Sequence, residues 1–277
     1  MRVSGRAPKI TGALLMTVCV MVLAIAPSQS AGSVHEELKF ALLVGVSDYD
    51  PVCTYGDLKY SHKDAIDMYD LLVNENGWNP SNVILLYNES ATAENILDGI
   101  SWLSAMCNSC PRSTALIFFS GHGSFFCDNK AVRNWDEPVD ECIVPHDGDS
   151  QWIQNIIFDD VMREQLSSFG SARTILILDA CYSGGFIEDV GAEGRLILTS
   201  CGEREMCWEG VETGKVRIQN GVFTYCLLEA FRGAGDMDGD GKVSVEEAGS
   251  YAMDRVRDFT PDVQPEMFDG VKGEAYI

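Results

Sequence analysis

The stretch that most constrains this chain is Thr174-Ile-Leu-Ile-Leu-Asp-Ala-Cys181-Tyr-Ser-Gly-Gly185. An apolar run rich in β-branched residues and bounded by turn residues reads as a strand buried on both faces, the pattern of a parallel sheet. It stops at Asp179-Ala180-Cys181, and Gly184-Gly185 lets the backbone turn away sharply. In open α/β sheets the groups that act on ligands lie just beyond the carboxyl ends of strands. Cys181 therefore stands where a nucleophile can work if a base is beside it. Ala115-Leu-Ile-Phe-Phe-Ser120-Gly121-His122-Gly123 repeats the design, with a histidine between two glycines. Two strand ends, one bearing His and one bearing Cys, predict a dyad.

The remaining patterns agree with that architecture. Lys39–Val46, Asn82–Tyr87, residues 114–121, residues 173–179 and Gly194–Thr199 read as strands. Helical spacing of apolar residues marks Ser61–Leu72, Thr92–Leu103 with Thr92 as N-cap, Phe158–Phe169 and Gly221–Ala234. The segment from His122 to about Asp140 reads as a long loop. Strands alternating with helices imply right-handed βαβ units and a mostly parallel α/β sheet covered on both faces. No linker or internal repeat divides the chain, so residues 36–277 are expected to form one domain.

Residues 1–30 carry Arg2, Arg6 and Lys9, then the apolar run Ile10–Ala26 and the small polar segment Pro27–Ala31, which reads as a secretory signal. The run of 17 residues is at the lower limit for spanning a bilayer, and an uncleaved anchor is the second reading. The protein is accordingly expected to be secreted or extracytoplasmic. The net charge is −22, and the part beyond the three positive charges of residues 1–30 stands at −25. Such a surface argues against nucleic acid and anionic membrane as partners, which need clustered Lys and Arg. It suits calcium or basic substrates. Loss of Cys19 with the signal leaves nine cysteines, Cys53, Cys107, Cys110, Cys127, Cys142, Cys181, Cys201, Cys207 and Cys226. In an oxidising compartment eight could pair and one stay free; the alternative is that several are buried thiols acting as small hydrophobes.

The dyad motifs carry a resemblance. Ser120-Gly-His122-Gly and Asp179-Ala-Cys181-Tyr-Ser-Gly184 lie 59 residues apart, close to the caspase spacing of about 50. Asp140-Glu-Cys-Ile-Val-Pro145-His-Asp147, Ile157-Phe-Asp159-Asp160 and Gly221-Val-Phe-Thr-Tyr225 follow in the same order as in that family. Over roughly Leu38–Tyr251 the chain resembles caspase-like cysteine peptidases, closest to metacaspases and their prokaryotic relatives, the orthocaspases. The resemblance implies a caspase-like three-layer sandwich, a mostly parallel sheet with helices on both faces. It also implies peptide-bond cleavage by Cys181 assisted by His122, with backbone N–H groups of Gly123 and Cys181 as the oxyanion hole. By the same resemblance Asp64, Ser120 and Asp179 match a pocket that selects Arg or Lys. Ser61 stands where some members have a cysteine.

Asp236-Met-Asp-Gly-Asp-Gly-Lys-Val-Ser-Val-Glu-Glu247 fits the twelve-residue calcium loop, with Asp236, Asp238, Asp240, Ser244 and Glu247 as side-chain ligands and Lys242 offering its carbonyl. Its flanks are helical, and the expected role is structural. The family resemblance implies a second, activating calcium held by Asp140, Asp159, Asp160 and a carboxylate near Glu188. Segment 202–220 reads as an exposed loop; Arg204, Lys215 and Arg217 make it a candidate for self-cleavage, an ordinary surface loop being preferred. The expected partners are protein or peptide substrates with basic residues, and the chain is expected to be a monomer. The competing readings are a silent calcium-binding interaction protein on a peptidase fold, a legumain-like or clostripain-like peptidase with another pocket, and an esterase.

Overall fold

A computed structural model describes residues 37–51, 53–127, 139–149, 151, 153–171, 173–214 and 216–277. The expected signal segment and Lys215 lie outside the described residues. From the amino end the chain runs through β1 (Lys39–Gly45), α1 (Ser61–Tyr69, continued by Asp70–Glu75), β2 (Val83–Tyr87), α2 (Ala93–Ser109) and β3 (Thr114–Ser120). Three strands follow, β4 (Gly123–Cys127), β5 (Val139–Ile143) and β6 (Ile157–Phe158), then α3 (Asp159–Ser167) and β7 (Arg173–Asp179). The last third holds α4 (Phe186–Val190), β8 (Arg195–Thr199), the short pair β9 (Glu212–Thr213) and β10 (Val216–Arg217), α5 (Val222–Glu229, continued by Ala230–Ala234), α6 (Val245–Val256) and β11 (Glu266–Asp269).

Six strands make the main sheet in the order β11-β8-β7-β3-β1-β2. All neighbours are parallel except β11, which pairs antiparallel with β8. Because successive side chains point to opposite faces of a strand, each central strand feeds two cores. Leu42, Val44, Ile117, Phe119, Leu176 and Leu178 join Ile96, Ile100 and Leu103 of α2, Met162 of α3 and Phe186 of α4. Ala41, Leu43, Leu116, Phe118, Ile175 and Ile177 join Met68 of α1, Phe223 and Leu227 of α5 and Ala248 of α6. Full burial of one such large side chain is worth about 1.5–3 kcal/mol, so two filled cores hold the sheet rigid and fix where its strand ends point. The result is the three-layer α/β sandwich that the sequence predicts.

Two features depart from the sequence reading. Residues 122–140 were expected as loop, yet β4 and β5 build a separate antiparallel sheet with β6, pairing Gly123 with Ile143 and Cys142 with Phe158. The strand Val139–Ile143 buries the acids Asp140 and Glu141, and charges inside a strand erase its apolar pattern. The segment 202–220 is not simply exposed either: Glu209 accepts the backbone N–H groups of Lys59 (2.7 Å) and Tyr60 (2.8 Å), and β9–β10 form a hairpin. Arg204 and Arg217 are exposed on it. Among the described residues, no helix is long and apolar enough to cross a membrane.

Candidate active site

The parallel register of β3 and β7 places Ser120 opposite Asp179, and the N–H of Gly121 donates to the Asp179 carbonyl at 3.2 Å. His122 and Cys181 each lie two residues farther on, so both leave the sheet at the same level. Gly123 is pressed onto the backbone of Cys181: a Cβ there would stand 2.0 Å from the Cys181 carbonyl oxygen. Only hydrogen fits.

The imidazole of His122 is held on several sides. Its backbone N–H donates to the Tyr49 hydroxyl at 2.7 Å, and its ring is flanked by Tyr49 and Tyr55 at centroid distances of 5.0 and 5.2 Å. Nε2 lies 2.7 Å from the Gly56 carbonyl. A carbonyl only accepts, so Nε2 carries the proton and Nδ1 is the basic nitrogen. Burial lowers the imidazole's pKa and keeps it neutral, while burial holds the Tyr49 phenol protonated. The same Tyr49, Tyr55 and Gly56 line a cavity of about 570 Å³ together with the acids Asp48, Asp50, Asp57 and Glu89.

Cys181 is followed by Tyr182 in the left-handed region, φ 62°, a conformation that costs a non-glycine residue on the order of 1–3 kcal/mol. The cost is met locally: Tyr182 N–H donates to the Glu205 carbonyl at 2.8 Å, and its ring meets Phe125 edge-on at 4.9 Å. The Cys181 Sγ touches Cys207, 3.9 Å from both its Sγ and its carbonyl oxygen. A hydrogen bond from the Cys207 thiol brings the Cys181 pKa down to about 7 against the opposing effect of burial, and the Cys207 thiol is pushed up in turn. Of the two thiols Cys181 is therefore the readier to ionise.

Asp64 and Asp179 meet beneath the dyad. Asp64 accepts from Ser120 Oγ at 2.7 Å, Asn220 Nδ2 at 2.8 Å and Gly221 N at 3.1 Å. Asp179 accepts from Thr224 N at 3.0 Å and Thr224 Oγ1 at 2.7 Å. Gly221 is wedged between them, since a Cβ there would lie 2.2 Å from Asp179 Oδ2 and 3.1 Å from Asp64 Oδ2. Every one of these donors is neutral, and among the described residues no Lys or Arg pairs with either acid. Burial raises both pKa values, and for Asp64 the neighbouring Asp179 charge raises it further.

The model of the caspase domain, Peptidase C14, matches residues 38–266. The chain belongs to the caspase-domain family. Caspase-domain proteins are cysteine peptidases as a family, so a thiol and an imidazole at two strand ends find their place in this chain. A protein from Geobacter sulfurreducens has a similar solved structure, with a TM-score of 0.59 at 20% identity over 87% of this chain and 94% of that one; at that identity the likeness speaks for the fold alone. No curated protein matches the chain.

Within this caspase domain the loop of residues 236–247 brings oxygens of Asp236, Asp238 and Asp240 within 4.8 Å of one another. Glu247 faces the same loop: its Oε1 accepts from Met237 N at 3.1 Å, and its Oε2 accepts from Ser244 N at 2.9 Å. Ser244 caps α6 through its Oγ, which accepts from Glu247 N at 3.2 Å. The Lys242 N–H donates to Asp240 Oδ1 at 2.8 Å. An all-oxygen, carboxylate-rich donor set on a tight turn fits a hard cation such as calcium.

The second acidic group differs from the expected one. Asp140, Asp159 and Asp189 are buried, whereas Glu188 is exposed. On the short helix α4 adjacent residues face about 100° apart, so only one of two neighbouring acids can face inward, and it is Asp189. Arg163 forms ion pairs with both Asp160 and Asp189. The second carboxylate oxygen of Asp189 is buried without a hydrogen-bond donor. Burial pushes the Asp159 carboxyl up to about 8 although it accepts from the N–H groups of Asp160 and Glu141.

Several participants escape a sequence reading. Gly56 acts through its carbonyl and carries no side-chain signal. Tyr49 could be suspected only as an aromatic near a strand end. Cys207 sits in a polar stretch with no pattern, one cysteine among nine. All eight cysteines with described side chains are free thiols, and Cys53, Cys107, Cys142, Cys201 and Cys226 are buried, which matches the reading of cysteines as small core hydrophobes.

Proposed function

We propose that the chain is a secreted cysteine endopeptidase that cleaves peptide bonds after Arg or Lys. The carrying observation is the buried pair Asp64 and Asp179, which meets only neutral donors. Two carboxylates without a cation are expensive to keep ionised in a dry site. A guanidinium or ammonium from a substrate would return them to their charged form through charge-assisted hydrogen bonds, and an acidic side chain would be repelled. Ser120 would orient Asp64 in that pocket. The acids of the cavity behind Tyr49, Tyr55 and Gly56 favour the same class of substrate, and a chain this acidic is not expected to bind nucleic acid.

In this mechanism the Cys181 sulfur attacks the carbonyl carbon after the basic residue. N–H groups of Gly123 and Cys181 take the developing oxyanion. His122, with Nε2 fixed on Gly56, takes the Cys181 thiol proton on Nδ1 as the sulfur attacks, passes it to the leaving amine, and then draws one from the water that hydrolyses the thioester. Calcium at residues 236–247, held by Asp236, Asp238, Asp240, Ser244, Glu247 and the Lys242 carbonyl, would clamp α5 and α6. A second calcium at Asp140, Asp159 and Asp160, with Asp189 in place of Glu188, would supply the positive charge that Arg163 supplies in part. Segment 202–220, with exposed Arg204 and Arg217, remains a candidate for self-cleavage. The active form is proposed to be a monomer.

Hydrolysis of matched fluorogenic peptides ending in Arg, Lys, Asp or Asn tests the reading, with calcium or chelator, on wild type and Cys181→Ala. Arg and Lys turnover lost in the variant is expected. Turnover of Asn or Asp peptides instead would keep the peptidase and overturn the pocket. Silence on all four from folded protein would turn the balance to a binding protein.

A further inference from the structure

Three thiols crowd the floor of the site. The Cys181 Sγ is in van der Waals contact with that of Cys207, at 3.9 Å. The thiol of Cys201 lies near that of Cys207; it is fully buried and rests on the carbonyls of Ala180 (3.4 Å) and Glu205 (3.3 Å). Cys181 and Cys207 are partly exposed, and exposed Met206 and Trp208 flank Cys207. A small oxidant can therefore reach Cys181 and cannot as easily reach Cys201.

From this geometry we propose that Cys181 and Cys207 form a reversible oxidation site, in which a hydroperoxide oxidises Cys181 and Cys207 resolves it as a disulfide that switches the peptidase off. The inference rests on the reading of Cys181 as the nucleophile. The first step transfers one oxygen: the Cys181 thiolate attacks the O–O bond, the sulfur loses two electrons and becomes a sulfenic acid, and the peroxide leaves as alcohol or water. The second step joins the sulfurs: the Cys207 sulfur displaces the sulfenic hydroxyl, the S–S bond forms, and the thiol proton leaves with the hydroxyl as one water. A disulfide has an S–S length of about 2.05 Å, so the thiols must close by about 2 Å. The loop carrying Cys207 can supply that movement, because it is neither strand nor helix. Without a neighbour thiol, a sulfenic acid goes on to the sulfinic acid, which reductant does not restore. Cys207 thus protects the nucleophile while it blocks it.

The test exposes the full-length protein to hydrogen peroxide and maps the thiols by mass spectrometry without reduction. Trypsin cutting at Arg173, Arg195, Arg204 and Lys215 puts Cys181, Cys201 and Cys207 on three separate peptides. A Cys181–Cys207 linked pair is expected, whether or not any peptide substrate is turned over, so the site can stand while the peptidase reading fails. With an active substrate in hand, wild type should lose activity about tenfold or more and regain most of it with dithiothreitol, whereas Cys207→Ser should lose its own starting activity irreversibly. A Cys201–Cys207 link with Cys181 reduced, sulfinic Cys181 in wild type, or equal recovery in Cys207→Ser would overturn the proposal.

Discussion

Ser120 and Asp179 face each other as the last residues of two adjacent parallel strands, and that single register positions the whole site. Two residues beyond them stand His122 and Cys181, while their own side chains turn down, Ser120 donating to Asp64 and Asp179 accepting from Thr224. A one-residue slip would send every side chain of a strand to the opposite face. The two apolar cores forbid that slip, so sheet packing and the placement of His122 and Cys181 have the same origin.

The closest approach across this register is between Gly123 and Cys181, which makes Gly123→Ala a severe substitution. The Cβ would lie 2.0 Å from the Cys181 carbonyl, well inside contact distance, and backbone must move. Loss of one oxyanion donor alone costs about 10²–10³ in rate. Turnover of an Arg peptide should fall by at least that factor, and the melting temperature should fall too, since forced backbone shifts cost about 1–3 kcal/mol. Activity within threefold of wild type would remove Gly123 from the oxyanion hole.

The pH profile should report the Cys181–Cys207 contact. With its pKa lowered to about 7, Cys181 is half ionised near neutrality, and its alkylation rate by iodoacetamide should climb through pH 7. Cys207→Ala removes the donor and should move that limb up toward the ordinary thiol value of about 8.5. Cys207→Ser keeps a donor and should move it less. Identical limbs in all three proteins would show that the dyad histidine, not Cys207, sets the thiolate.

Much of this arrangement was legible from residues alone. Apolar runs ending in Ser120-Gly-His122-Gly and Asp179-Ala-Cys181 carry their own strand signal, and the caspase resemblance followed from motif order. Asp189 was not separable from Glu188, because two adjacent acids look alike until a helix turns one inward. Cys207 and Gly56 were invisible because a loop thiol and a backbone carbonyl acquire a role only through tertiary contact. The β4–β5–β6 sheet was missed because its middle strand buries acids.

Asp64→Asn should trade function for stability. Asp64 and Asp179 have raised pKa values, so the folded protein binds protons that the unfolded chain has already released. Their stability contribution is present at acidic pH and is lost as pH rises through the folded pKa values. Asparagine keeps an oxygen for Asn220 and Gly221, and its amide can donate to the Ser120 hydroxyl. The variant should melt higher than wild type at mildly alkaline pH, by about 2–4 °C for each kcal/mol recovered. Its kcat/KM on an Arg peptide should fall roughly 10- to 100-fold, the worth of a charge-assisted hydrogen bond. A variant less stable than wild type at every pH would mean the two acids are not strained by their burial.

Calcium should bind at residues 236–247 with a structural consequence. Titration calorimetry with calcium is expected to show a binding event that Asp238→Ala abolishes, accompanied in wild type by a raised melting temperature. Asp238 is exposed and its carboxylate accepts from the Asp240 N–H within the same loop, so its loss alone should not unfold the protein. Equal heats in both proteins would place the ion elsewhere or nowhere.

Arg163 offers the sharpest test of the second acidic group. It is the cation that pairs with Asp160 and Asp189, and Asp189 is buried with one oxygen lacking a donor. Arg163→Gln leaves that charge uncompensated, and breaking a pair whose other partner stays buried costs up to about 3–5 kcal/mol. Arg163 itself is partly exposed, so solvent screening should bring the loss toward about 1–2 kcal/mol. If calcium occupies the group, it should restore the melting temperature of the variant more than it raises that of wild type, and Asp238→Ala in the background should leave this rescue intact. A loss that calcium does not mend would make the group a structural ion-pair network centred on Arg163, with no metal required.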